Sequence, residues 1–224
     1  WTRTGFSFQE TDNIVGYNIK MHPTNPAILF ITTNAGVFRT VNGGATWTEV
    51  LNEYSFDIEF KPGNPSVIYV STLQEIYRST DGGVNWSSAS TGISQSGNWV
   101  TPWKQDPSVA ARIYSGRTGL WVSNNSGVSY TAVPATGGTG AIIEFAIAPS
   151  NNQVIYVLHS GSIRKTINGG TTWTNVTGTV PVGSGAPQYI AVKATDPNTA
   201  WVVLSGYSAG NKVFKTINGG TSWT

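Results

Sequence analysis

Apolar residues in this chain come in short runs of about five to seven positions, alternating with polar ones or clustered, and each run stops at Gly, Pro, Asn or Asp. Such runs predict β-strands, and no stretch sustains the period of an amphipathic helix. Over the first complete stretch the predicted strands fall at about 17–22, 27–33, 36–41 and 46–51. A turn followed by a β-branched run then recurs five times, as "HPTNPAILFITT", "KPGNPSVIYVST", "KQDPSVAARIYSG", "APSNNQVIYVLHS" and "TDPNTAWVVLSG".

A second signature shares this period. "RTVNGGATWT", residues 39–48, nearly repeats as "KTINGGTTWT" at 165–174 and "KTINGGTSWT" at 215–224, with a related copy closing on Trp86 and a degenerate one, "SNNSGVSY", closing on Tyr130. The closing aromatics set a repeat of roughly 40 to 50 residues, with units of about 1–47, 48–86, 87–130, 131–173 and 174–224. Four short strands per unit of this length predict an all-β propeller of about five blades. Because the chain opens and closes at the same phase of the repeat, it is expected to be part of a larger ring.

Most positions of the decapeptide have a backbone explanation. Asn42, Asp81, Asn168 and Asn218 are expected to bond amides two residues on, and the glycines that follow supply the positive φ of a tight hairpin. Trp47, Trp86, Trp173 and Trp223 then open the next strand and are expected to bury a large apolar face.

This pattern, Ser/Thr-x-Asp/Asn-Gly-Gly-x-x-Trp, resembles the Asp-box, or bacterial neuraminidase repeat. That box is found in sialidases, xyloglucanase-type glycoside hydrolases, sortilin-type receptors and photosystem II assembly propellers. The resemblance implies a propeller whose boxes lie between the third and fourth strands of each blade, away from the ligand face. It does not imply one chemistry, since these families share the box and differ in function.

Composition narrows the choice. A net charge of +2 with 11% charged residues gives no electrostatic footprint for nucleic acid. No apolar run approaches the length of a membrane-spanning helix. The absence of Cys rules out disulfides and thiolate chemistry and departs from animal sortilins, whose receptor region continues into a disulfide-rich module. The expectation is an exported bacterial protein at the cell surface or outside the cell. The two histidines, His22 and His159, are placed in a turn and at a strand end, so neither a metal nor another cofactor is expected.

The ligand face is expected opposite the boxes, where the second-to-third hairpins and blade-to-blade loops present Asn34, Tyr54, Gln74, Arg117, His159 and Tyr207. Aligning the first strands on their turns places Asn18, Asp57, Trp99, Glu144 and Tyr189 in one register, polar or aromatic in every unit. A ring of aromatic platforms, amides and carboxylates suits a glycan or an extended peptide, and Arg117 is added as a ligand contact.

If the protein were an enzyme, Asp57 and Glu144 would be the acid and base of a glycoside hydrolase. Xyloglucanase-type enzymes carry an aspartate at the start of an inner strand, where the alignment gives Tyr17, Phe56, Asn98, Ile143 and Gln188. Nor can a sialidase arginine triad be assembled, since Arg39 and Arg78 share a third-strand position with Lys215. The expectation is therefore a non-catalytic binding or scaffold propeller, with a glycoside hydrolase or a protein-assembly factor as alternatives, joined to further blades of its parent chain.

Overall fold

The structure is a computed structural model that describes residues 5–7, 12–183, 186–206 and 210–224. Trp1 and Tyr207 lie outside the described residues. Among the described residues all regular structure is antiparallel β, in five meandering sheets of the propeller-blade type. The chain divides into two compact units, Trp1–Thr91 and Gly92–Thr224.

Unit 1 holds blade 1, made of β1 (Gly16–Met21), β2 (Leu29–Thr33), β3 (Gly36–Thr40) and β4 (Thr48–Leu51), and blade 2, made of β5 (Ser55–Lys61), β6 (Asn64–Thr72), β7 (Ile76–Ser79) and β8 (Ser87–Ser88). Unit 2 holds three blades. Blade 3 comprises β9 (Trp103–Gln105), β10 (Ile113–Gly116), β11 (Leu120–Ser123) and β12 (Thr131–Ala132). Blade 4 comprises β13 (Ile142–Ile147), β14 (Ile155–His159), β15 (Ile163–Thr166) and β16 (Thr174–Asn175). Blade 5 comprises β17 (Ala186–Lys193), β18 (Asp196–Ser205) and β19 (Val213–Thr216), and Thr224 pairs with Lys215 where a fourth strand would begin.

Within each unit neighbouring blades meet through one recurring contact. An aromatic on the second strand and an aliphatic on the third insert against the first and second strands of the next blade. Phe30 and Val37 sit on Ile58, Phe60, Ile68 and Val70. Tyr114 and Leu120 sit on Phe145, Ile147, Ile155 and Val157, and Tyr156 and Ile163 on Ile190, Val202 and their neighbours. On the second strand's aromatic ladder position a cross-strand cation stacks: Arg39 on Phe30, Lys165 on Tyr156 and Lys215 on Trp201, at 5.9, 5.1 and 5.7 Å from the ring centroids. The third-strand cations are thus part of the blade framework.

The repeated decapeptide forms the hairpin between third and fourth strands. Thr40 Oγ1 donates to Asn42 Oδ1 at 2.8 Å and accepts from Gly44 N at 3.0 Å, while Asn42 Oδ1 accepts from Thr46 N at 2.9 Å. The same bonds recur from Ser79 and Asp81, Ser123 and Asn125, Thr166 and Asn168, and Thr216 and Asn218. The side chain therefore captures an amide four residues on, not two, and the opening Ser/Thr hydroxyl holds the intervening turn. Hydrogen bonds from the Asn85 amide and side chain, and from Ser79, hold the Asp81 carboxyl well below its ordinary range.

In the degenerate copy the box residue is Asn125, whereas Asn124 accepts a bond from Arg112 Nε at 2.8 Å. Ser126 stands where the other copies have their first glycine and adopts φ 60. Of the four box tryptophans only Trp223 is buried; Trp47, Trp86 and Trp173 are half-buried, Trp86 and Trp173 packing against the buried clusters between blades.

Candidate functional site

Four of the five first strands carry a β-bulge at the same place. The ladder shifts register between Gly16 and Asn18 in β1, Ser55 and Asp57 in β5, Ile142 and Glu144 in β13, and Pro187 and Tyr189 in β17. The extra residue in each case is Tyr17, Phe56, Ile143 or Gln188. A bulge bends the strand and re-aims the side chain that follows it, so Asn18, Asp57, Glu144 and Tyr189 occupy equivalent, locally distorted positions. Both carboxylates fold back on their own bulge: Asp57 Oδ1 accepts from Ile58 N and Glu144 Oε1 from Phe145 N, each at 2.9 Å.

In unit 1, Asn18 Nδ2 donates to Asp57 Oδ1 at 2.7 Å, and one layer further along the same strands Lys20 pairs with Glu59 at 2.6 Å. Tyr17, Tyr54 and Phe56 gather beside this pair, with the two phenol oxygens 2.5 Å apart and ring centroids 5.0 to 5.7 Å apart. The shared hydrogen bond raises the Tyr17 phenol above its ordinary pKa.

In unit 2, Glu144 and Tyr189 are joined through Lys104, whose Nζ lies 3.3 Å from Glu144 Oε1 and 5.8 Å from the centre of the Tyr189 ring. Trp99 does not occupy the equivalent strand position. Gly116 N bonds Pro102 O, and Trp103 pairs with Ser115, so Pro102 holds the place that alignment gave to Trp99. The slip has a definite cause. The Asp-Pro pair directly follows β9, at Asp106, but falls three residues later after β17, at Asp196 where β18 begins, so matching the two pairs displaces the first strand by three residues. The residue before Pro102 is Thr101, so the correction still puts no aspartate at that position.

Trp99 nevertheless reaches the site from the loop before β9. It lines a groove of about 320 Å3 with Asn98, Val100, Pro102, Ile143, Glu144 and Gln188. Trp99 is 68% exposed and Tyr189 49% exposed, large values for such apolar residues. The groove thus offers a free indole, a carboxylate neutralised by an amine, and two amides.

Arg117 is a correction. It is only 2% exposed, because the segment around Gln95–Gly97 folds over its hairpin: Thr118 N bonds Ser96 O and Gly119 N bonds Gln95 Oε1. Its side chain packs against Gly97 and presents no accessible guanidinium. Asn34 is likewise engaged, accepting from Val15 N and donating to Asn13 O, while Gln74 is exposed at its hairpin tip. His22 Nδ1 accepts the amides of Thr24 and Asn25 within its turn. Among the described residues no group of three His, Cys, Asp or Glu side chains could hold a metal.

His159 is fully buried instead of facing solvent. Its Nδ1 meets Gly140 O at 3.1 Å and its Nε2 meets Thr136 Oγ1 at 2.9 Å, with the ring against the backbone of Gly138. Since a carbonyl can only accept, Nδ1 carries a proton, and in the neutral ring Nε2 accepts from the Thr136 hydroxyl. Burial pushes its pKa below the ordinary value; the bond to Gly140 opposes this and the Arg164 charge adds to it. A depressed folded-state pKa means that the unfolded chain binds the proton more readily. The stability His159 contributes is therefore present above its unfolded pKa of about 6.5 and lost as pH falls below it. Urea midpoints taken from pH 7.5 to 5 should fall more steeply for the native protein than for His159→Gln, by up to about 1.4 kcal/mol per pH unit. Equal slopes would show that folding leaves the proton affinity of His159 unchanged.

No protein-family model and no curated protein sequence matches the chain. Among solved structures, it superposes on an ancestral GH74 enzyme with a TM-score of 0.70 at 17% identity, covering 93% of this chain and 30% of that one. The GH74 enzyme of Niastella koreensis gives 0.67 at 22% identity, covering 93% and 38%. YCF48 from Cyanidioschyzon merolae gives 0.55 at 15% identity, covering 94% and 84%. The chain spans about a third of the length of the GH74 enzymes it resembles. At these identities the likeness is one of fold, and the fold is a β-propeller.

Proposed function

We propose that this chain belongs to the Asp-box propellers and is a non-catalytic binding propeller, exported by a bacterium, that takes a glycan chain across the end opposite the boxes. The observation that carries the reading is the groove beside Glu144, where the exposed indole of Trp99 stands next to amides and a carboxylate. An aromatic face against the C–H side of a sugar ring, with polar groups at its rim for the hydroxyls, is the combination a glycan requires. Arguing for binding over turnover, Asp57 and Glu144 are both tied to the following amide and to a neighbouring side chain.

Titration with soluble neutral polysaccharides and sialosides, followed by tryptophan fluorescence, tests this. A glycan that binds the native chain should bind Trp99→Ala at least about tenfold more weakly, a loss of about 1.4 kcal/mol, with thermal stability unchanged since the ring is exposed. Binding of extended peptides with no glycan response would sink the carbohydrate reading. The second reading is a glycoside hydrolase, favoured by the structural likeness to GH74 enzymes. Release of reducing sugar by the native chain, abolished in Asp57→Asn or Glu144→Gln, would establish it.

A further inference from the structure

The seams between successive blades of a unit do not all close alike on the box side. Between blades 3 and 4, and between blades 4 and 5, a valine that follows the fourth strand fills the space beside the next box. Val133 and Val176 occupy the room that a Cβ on Gly170 or Gly220 would need. The box indole then ties the seam, Trp173 Nε1 donating to Pro134 O at 3.2 Å and Trp223 Nε1 to Val176 O at 2.8 Å. The third-strand cation of blade 4, Lys165, also reaches forward and donates to Asn198 Oδ1 in the next blade at 3.2 Å.

Between blades 1 and 2, which both belong to unit 1, the same place is open. Val50 is the equivalent valine, but β4 bulges there: Phe38 pairs with Glu49 and Val37 with Leu51, so Val50 drops out of the ladder. The atoms nearest to a Cβ on Gly83 are those of Phe30 and Ile68. Trp86 Nε1, the counterpart of the two bonded indoles, is buried without an acceptor. What remains is a groove of about 340 Å3 lined by Arg39, Val41, Thr46, Thr48, Val50 and Val84, with Val41 and Val84 each more than half exposed.

The charge in this groove is one-sided. Arg39 lies two residues beyond Val37, so it leaves the sheet on the face turned to blade 2, as does its cross-strand partner Thr48. Glu49 also lines the groove, but it pairs with Phe38, and its carboxylate therefore points to the other face, towards Gly36. Arg39 forms no ion pair among the described residues, and its Nε is buried without an acceptor. β4 is the outermost strand of its sheet and has four residues, where β8, β12 and β16 have two each, so it presents the longest backbone edge of its kind.

We propose that this groove binds an extended acidic segment of a partner protein, a carboxylate side chain meeting Arg39 and a branched aliphatic side chain two residues away packing between Val41 and Val84. A strand laid along the edge of β4 sends alternate side chains into the groove. A guanidinium with spare donors takes a carboxylate through short, charge-assisted hydrogen bonds, and the two valines supply the apolar contact. The site uses no residue of the groove beside Glu144 and stands whether or not that groove takes a glycan.

The probe is a dye-labelled, amidated peptide, Thr-Val-Thr-Asp-Thr-Val-Thr, whose binding is followed by fluorescence anisotropy. The native chain should bind it at least about tenfold more tightly than the same peptide with Asn in place of Asp. Val84→Glu alters an exposed side chain, so it should stay folded and weaken binding at least about tenfold by setting a carboxylate against the ligand's own. Arg39→Met keeps an apolar cover on Phe30 while removing the charge, and should weaken binding as much. Val128→Glu places the same charge at the matching, equally exposed position of the blade 3 box and should bind like the native chain, as should Trp99→Ala. The proposal is overturned if the acidic peptide fails to bind at millimolar concentration, if the Asn peptide binds as well, or if Val84→Glu binds like the native chain. Loss of peptide binding in Trp99→Ala would equally overturn it, by moving the peptide to the groove beside Glu144.

Discussion

Tyr156→Ala should be the most damaging single substitution in unit 2, lowering the free energy of unfolding by about 4 kcal/mol. Tyr156 is among the largest fully buried side chains, and it is the plug between blades 4 and 5, packed in one cluster with Ile190 and Val202. Its hydroxyl donates to Pro197 O at 2.9 Å, and Lys165 covers its ring. Burial and the nearby Asp196 charge raise the phenol pKa, so the group stays a neutral donor. Truncation would remove the ring, leave a cavity between two sheets and strand the Pro197 carbonyl. Tyr156→Phe isolates the last of these and should cost only about 1 kcal/mol. Urea unfolding of the two variants separates packing from hydrogen bonding; equal losses would show that the bond, and not the ring, holds the blades together.

The blade pattern was legible in the sequence because it rests on local chemistry repeated five times. Turn residues, β-branched runs and the decapeptide each specify a hairpin without reference to the rest of the chain, and the strands predicted at 17–22, 27–33, 36–41 and 46–51 fall within two residues of those found. The candidate site was legible only where the spacing from the turn is constant. Asn18, Asp57, Glu144 and Tyr189 share one register, but nothing in the composition of their strands announces the bulge that aims them.

The spacing misleads in blade 3 because its Asp106-Pro107 pair opens the turn, as His22-Pro23 and Lys61-Pro62 do, whereas Asp196-Pro197 comes three residues later in blade 5, and only the ladder reveals that Trp99 belongs to a loop. Arg117 and His159 are buried for a different reason. Both stand where a hairpin tip would normally meet water, and both are covered by Gly/Ser-rich segments that carry little pattern of their own. The only trace in the sequence is glycine where the covering chain comes close, Gly97 against Arg117 and Gly138 against His159.

Glycine also has two separate duties within the box, and one pair of substitutions distinguishes them. Gly82 and Gly83 both adopt positive φ, at 75 and 81, so alanine at either position carries left-handed strain of about 1 kcal/mol. Around Gly82 a Cβ would meet nothing within 4 Å, and the cost of Gly82→Ala should end there. At Gly83 a Cβ would fall 2.5 Å from Phe30 Cε1 and 2.6 Å from Cζ. Phe30 has little room to retreat, being fully buried, edge-on to Phe60 and stacked under Arg39. Gly83→Ala should therefore cost about 3 kcal/mol, the extra 2 coming from overpacking between blades 1 and 2. Phe30→Leu removes the two ring atoms in conflict. In a double-mutant cycle it should recover about 1 to 2 kcal/mol of the Gly83→Ala loss while leaving the Gly82→Ala loss untouched. If the two alanines cost the same, the second glycine serves the turn alone. If they differ as expected, the neighbouring blade sets the second glycine, as it does at Gly170 and Gly220, where a Cβ would meet Val133 and Val176 at 2.4 and 2.6 Å.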